Sequence, residues 1–95
     1  MDIRKVAVLG AGTMGHGIAQ VCAQSGFEVA LGDVSDVQLA KAVEKVRGSL
    51  EKLASKGKLD ADVATILGRL TVSSAMDRVL EGADLVIEAV PEKME

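Results

Sequence analysis

A short apolar run, Val6 to Leu9, breaks into Gly10-Ala11-Gly12-Thr13-Met14-Gly15, and residues with helical spacing (Met14, Ile18, Val21, Cys22) follow at once. Strand, glycine turn and helix in immediate succession constrain the fold more than any other stretch of the chain. At this spacing the three glycines have separate tasks. Gly10 permits the tight turn out of the strand. Gly12 has no Cβ, so a pyrophosphate can approach the backbone. Gly15 lets the helix pack closely on the strand. The first helical turn then offers unpaired N–H groups and a positive dipole end to a phosphate. Gly10, Ala11, Gly12, Thr13, Met14 and Gly15 are therefore candidate phosphate-binding residues.

The first strand is expected over roughly Lys5 to Leu9 and the first helix from about Thr13 to Ser25, with 14, 18, 21 and 22 on its inner face and Ala19 and Ala23 permitting close packing. Gly26 ends that helix, and Phe27 to Leu31 forms the second strand. Ser35 or Asp36 can cap a long amphipathic helix carrying Leu39, Val43, Val46, Leu50 and Leu53, with Lys41, Glu44, Lys45, Glu51 and Lys52 on a solvated side. After a break at Lys56-Gly57-Lys58, Asp60 is the expected cap of a shorter helix through Val63, Ile66 and Leu67, closed by Gly68. Leu70 to Val72 reads as a strand. Ser73-Ser74 caps a short helix with Met76, Val79 and Leu80 facing inward, and Gly82 ends it. Asp84 to Val90 reads as a fully buried strand stopped by Pro91. This order predicts an α/β fold, a Rossmann-type doubly wound parallel sheet with strand order 3-2-1-4, truncated after the fourth strand. Its ligand crevice lies at the strand C-terminal ends, where the glycine turn meets Ala89 to Glu92.

Composition supports that architecture. At 95 residues the chain has room for one domain at most, and Phe27 is its only aromatic, so the core must be built from aliphatic side chains. A hydrophobic content of 48% against 26% charged residues describes a folded chain rather than a disordered tail. The net charge of −3 offers nothing to nucleic acid or an anionic membrane. No apolar stretch approaches the ~20 residues of a membrane span. The N-terminus runs straight into the first strand, leaving no room for a signal peptide, and the single Cys22 cannot form an internal disulfide. A cytoplasmic, reducing setting is the expectation.

Asp33 ends the second strand region, about 20 residues beyond the glycines. Its carboxylate can accept hydrogen bonds from adenosine ribose hydroxyls and would repel a 2′-phosphate. No Arg or Lys lies between Val34 and Ala40 to receive such a phosphate, so the expected cofactor is NAD rather than NADP. The bland alternative is that Asp33 only begins a turn and caps the following helix. His16, the sole histidine, falls in the first helical turn, where it can line the phosphate side but cannot serve a nicotinamide. No nucleophile–base pair and no metal-ligand cluster is apparent. Cys22 reads as an inert core thiol.

Three stretches together resemble the NAD-dependent 3-hydroxyacyl-CoA dehydrogenases, including the 3-hydroxybutyryl-CoA enzymes. They are Gly-Ala-Gly-Thr-Met-Gly-His-Gly-Ile-Ala-Gln from Gly10, the helix end from Ser49-Leu50 to the Lys-Gly-Lys-Leu turn, and Ala83-Asp84-Leu85-Val86-Ile87-Glu88-Ala89-Val90-Pro91-Glu92. The resemblance runs over essentially the whole chain, and the third stretch is its most specific part. It implies that Gly10 to Gly15 hold the pyrophosphate, that Asp33 binds the adenosine ribose, and that Ala89, Val90 and Glu92 lie near the nicotinamide. It further implies that Ser49 and Lys56 touch the coenzyme A portion of an acyl-CoA substrate.

Family members also extend well beyond the length of this chain. Their further residues carry the catalytic His–Glu pair, a substrate-orienting Ser and Asn, and a helical domain that supplies the dimer. On that reading residues 1–95 are a partial NAD-binding domain, belonging to an enzyme that interconverts (S)-3-hydroxyacyl-CoA and 3-oxoacyl-CoA but inactive alone. A stand-alone dinucleotide-binding or assembly module, needing no catalytic histidine, is the alternative. Under either reading the apolar edge of the fourth strand is expected to drive self-association, with two copies pairing around a two-fold axis.

Overall fold

Val6, Ala7 and Val8 are enclosed on both sides, because the strand they form, β1 (Lys5–Leu9), lies inside the sheet. The computed structural model describes residues 2–89. After β1 come α1 (Thr13–Gln24), β2 (Glu28–Gly32), α2 (Asp36–Ser55), α3 (Val63–Leu67), β3 (Leu70–Ser73), α4 (Met76–Leu80) and β4 (Leu85–Glu88). The strands form one parallel sheet in the order β3-β2-β1-β4, as the sequence predicts. Leu9 is in register with Gly32 on one side and Glu88 on the other, and Gly32 with Ser73. The C-terminal strand ends therefore share one row, and every loop leaving that row opens on the same edge of the sheet.

The two faces are covered unequally. On one, Val6, Val8, Val29 and Leu31 pack with Ala19 and Ala23 of α1, with Leu39, Ala42, Val46 and Leu50 of α2, and with Ile66 of α3. On the other, among the described residues, Ala7 and Ala30 pack with Val79 of α4, with Leu9 and Ala83 at the margin. Aliphatic spacing on α2 explains its place, and the Ser35 Oγ accepts from Gln38 N at 3.2 Å to start it.

Several local expectations are corrected. Of the expected inner face of α1, Ile18 and Cys22 are half-buried and pack against the core, whereas Met14 and Val21 are 67% and 62% exposed; the fully buried residues are Gly15, Ala19 and Ala23. Contact between the glycine turn and Gly15 sets the helix so close to the sheet that only small residues fit beneath it. The α3 cap is Asp62, whose Oδ1 accepts from Thr65 N at 2.7 Å, and not Asp60. Hydrogen bonding from Thr65, through its side chain first and its backbone N–H second, holds the Asp62 carboxyl below its ordinary pKa. The cap residue of α4 is Ala75; Ser73 Oγ accepts from Ala75 N one step earlier. Leu80, expected to face inward, is exposed.

Strand β4 is shorter than expected and is not fully buried. Leu85 and Val86 are 42% and 46% exposed, because β4 borders the sheet and only β1 pairs with it among the described residues. Its start is fixed by Asp84, whose Oδ2 accepts from Arg4 N at 2.9 Å and Lys5 N at 3.0 Å. Those two donors hold the Asp84 carboxyl below its ordinary value.

Candidate functional site

The turn after β1 shows why its glycines stand where they do. Gly10 has φ 103°, a left-handed conformation that a side chain would strain, and its N–H donates to Gly32 O at 2.7 Å. A Cβ on Gly15 would fall 1.6 Å from the Gly10 carbonyl oxygen, so α1 can approach β1 this closely only with glycine there. A Cβ on Gly12 would meet nothing within 4 Å. Gly12 is thus not demanded by internal packing, and the space beside it is open to a ligand.

Gly12 is also the N-cap of α1, with extended backbone and no side-chain acceptor, and the first turn carries no acidic residue. Helices α2 and α3 are both capped by side chains. The first N–H groups of α1 keep the positive end of the helix available to an anion. The residues present therefore fit a pyrophosphate: open backbone at Gly12, uncapped donors and no acidic residue in the first turn of α1.

Asp33 lies beside this turn rather than apart from it. Its Oδ2 accepts from Ala11 N at 2.8 Å and its Oδ1 from Ser35 N at 2.9 Å. The bland expectation for Asp33, that it shapes the start of α2, is half met, since the helix cap itself is Ser35. Each carboxylate oxygen accepts one backbone bond and retains lone-pair capacity for a hydroxyl. A cleft of about 350 Å³ opens next to it, lined by Leu9, Gly10, Asp33, Val34, Met76 and Glu88. This cleft lies at the C-terminal strand ends, on the side of the sheet covered by α4.

Val34, Met76 and Glu88 were not among the expected site residues; Met76 was expected only to face inward from its helix. Val34 follows Asp33 directly and is exposed, and Glu88 ends β4 in register with Leu9. The parallel register was the available signal for Glu88; Met76 comes to the cleft only through the packing of α4. Ala89 is buried beneath the turn, its N–H donating to Leu9 O at 2.7 Å. Thr13 and Met14 are exposed at the start of α1. Val90 and Glu92, the other expected nicotinamide neighbours, lie outside the described residues.

The two residues expected to meet coenzyme A are not brought into one cavity. Ser49 Oγ accepts from Gln20 Nε2 at 2.9 Å and lines a cleft of about 410 Å³ between α1 and α2 with His16, Lys45, Gly48 and Lys52. Lys56 is the exposed C-cap of α2, beyond that cleft. Cys22 lines a third, apolar groove along the outer side of α1 with Met14, Ile18 and Val21, and burial pushes its thiol pKa up, which keeps it a thiol. Among the described residues no cluster of three or more His, Cys, Asp or Glu is placed to hold a metal, and no helix is long and apolar enough to cross a membrane.

Residues 5–95 match the family model described as the NAD binding domain of 3-hydroxyacyl-CoA dehydrogenase. A probable 3-hydroxybutyryl-CoA dehydrogenase of Bacillus subtilis is 37% identical over 95 residues, covering 99% of this chain and 33% of the relative. One from Deinococcus radiodurans is 42% identical over 91 residues, covering 96% of this chain and 32% of the relative. The crystal structure of (S)-3-hydroxybutyryl-CoA dehydrogenase PaaH1 from Ralstonia eutropha superposes with a TM-score of 0.90 at 46% identity, over 98% of this chain and 33% of that one. The chain spans about a third of the length of these relatives.

Proposed function

The chain belongs to the family of 3-hydroxyacyl-CoA dehydrogenase NAD-binding domains, and from that premise we propose that it is the cofactor-holding part of an enzyme that interconverts (S)-3-hydroxyacyl-CoA and 3-oxoacyl-CoA. NAD, when bound, supplies the hydride acceptor. Gly10 to Gly15 hold its pyrophosphate, Asp33 receives the adenosine ribose hydroxyls, and Ala89, Val90 and Glu92 stand toward the nicotinamide. The observation that carries this reading is the contrast between two glycines: the fold needs Gly15 to be bare, whereas nothing in the packing needs Gly12 to be.

Removing a hydride from a secondary alcohol requires a base at the hydroxyl. His16 does not fill that role, since its Nδ1 bonds to Gly12 O at 2.8 Å on the phosphate side of the turn. The base, and with it turnover, belongs to residues beyond these 95, and the 95-residue chain alone is a binding module within the larger enzyme. Coenzyme A meets Ser49 and Lys56 along α2, where Lys45 and Lys52 add positive charge. A second copy pairs along β4, whose exposed Leu85 and Val86 support an edge contact.

Calorimetric titration of NAD and NADP against wild type and Asp33→Ala tests the cofactor assignment. Wild type is expected to bind NAD at least tenfold more tightly than NADP. Asp33→Ala should lose roughly 10- to 100-fold in NAD affinity, the range of a hydrogen bond to a charged acceptor. Equal NAD affinity in both proteins would remove Asp33 from the ribose. Oxidation of NADH with acetoacetyl-CoA by the 95-residue chain would refute the assignment of the base elsewhere.

A further inference from the structure

Gly12 has no side chain with which to hold its own conformation, yet it sits where the pyrophosphate is to bind. Glycine has the largest backbone freedom to lose, so the turn must be held by neighbours. Two side chains do this. Asp33 takes the N–H of Ala11 at 2.8 Å, and His16 engages the carbonyl of Gly12 through Nδ1, also at 2.8 Å. The same carbonyl accepts the backbone N–H of His16 at 3.0 Å, the first bond of α1. A carbonyl oxygen can only accept, so His16 donates from Nδ1, and its Nε2 is left for the cleft shared with Lys45, Gly48, Ser49 and Lys52.

We propose that His16 is a positioning residue of the cofactor turn, acting on the pyrophosphate through the Gly12–Thr13 peptide without touching it. The Gly12 carbonyl and the Thr13 N–H are the two ends of one peptide group. A second hydrogen bond at the oxygen polarises that group and makes its N–H a stronger donor. Thr13 N–H belongs to the uncapped first turn of α1, so the gain falls on a group directed to the phosphate. The imidazole also fixes the tilt of that peptide. The contact does not require a histidine as such: an asparagine at the same place carries an Nδ2–H in nearly the position of the ring Nδ1–H.

This role rests on the cofactor reading above, and the test separates the two. NAD, ADP and adenosine are titrated against wild type, His16→Ala and His16→Asn, and the Thr13 amide proton is followed by NMR in the free proteins. In His16→Ala, affinity for NAD and ADP should fall roughly 3- to 10-fold, the worth of one hydrogen bond, while adenosine, which lacks the pyrophosphate, binds unchanged. The Thr13 amide proton should move upfield. His16→Asn should restore both the affinity and the shift. Unchanged NAD and ADP affinity in His16→Ala, an equal loss for adenosine, or no recovery in His16→Asn would overturn the role of His16 alone. Failure of wild type to bind NAD would overturn the cofactor reading and the role together.

Discussion

Gly10, Gly12 and Gly15 look alike in the sequence, but their surroundings differ, and the difference sorts fold from function at the scale of single residues. A methyl group on Gly15 would collide with the Gly10 backbone, oxygen at 1.6 Å and carbon at 2.7 Å, and backbone cannot swing aside as a flexible side chain can. Gly15→Ala is therefore expected to destabilise the protein by about 3 kcal/mol or more, read from urea denaturation; wild-type stability would mean that α1 is not packed this closely. The spacing of the glycines and the place of Asp33 were legible in the sequence, because both follow from strand and helix geometry. The bonds from Asp33 to Ala11 and from His16 to Gly12 were not, since each depends on the distance at which two loops settle.

At the scale of elements, α1 shows where periodicity misleads. Met14, Ile18 and Val21 mark an apolar stripe, of which only Ile18 packs against the core; the fully buried stripe is Gly15, Ala19 and Ala23, because closeness to the sheet selects small residues there. Gly32 obeys the same rule on the other face. A Cβ there would lie 2.8 Å from Val79 Cγ2 and 3.1 Å from Met76 Sδ, atoms of side chains that can give way. Gly32→Ala should cost about 1–2 kcal/mol, less than Gly15→Ala by the same denaturation measurement; the reverse ranking would contradict the packing of α4.

The junction between β1 and β4 makes a pH prediction. The Arg4 and Lys5 N–H groups depress the Asp84 pKa in the folded protein, so the unfolded chain binds a proton more readily. The stability this gives is present above the ordinary carboxylate value and is lost as pH falls through the lower folded one. Melting temperatures followed from neutral to acid pH should show Asp84→Asn less stable than wild type at neutrality, with the gap closing in acid. A gap of constant size would remove Asp84 from the acid response.

Across the whole molecule, the parallel order β3-β2-β1-β4 was legible because each connection carries a helix and each strand an aliphatic run. Burial of β4 was not. The run from Leu85 to Ile87 reads as a central strand, yet its place at the border of the sheet leaves Leu85 and Val86 exposed. Exposed aliphatic residues on a border strand favour pairing with another chain. Sedimentation should show the 95-residue chain self-associating, and Val86→Lys, which places a charge on that strand, should shift it toward monomer. Monomer alone at high wild-type concentration would count against the β4 contact.

The central claim is that the open backbone at Gly12 is kept for a cofactor pyrophosphate, and titration of NAD into Gly12→Ala tests it most directly. Among the described residues no atom other than its chain neighbours lies within 4 Å of the added Cβ, so the variant should keep a melting temperature close to that of wild type. NAD affinity should nevertheless fall by at least tenfold. A well-folded Gly12→Ala that binds NAD as tightly as wild type would contradict the account.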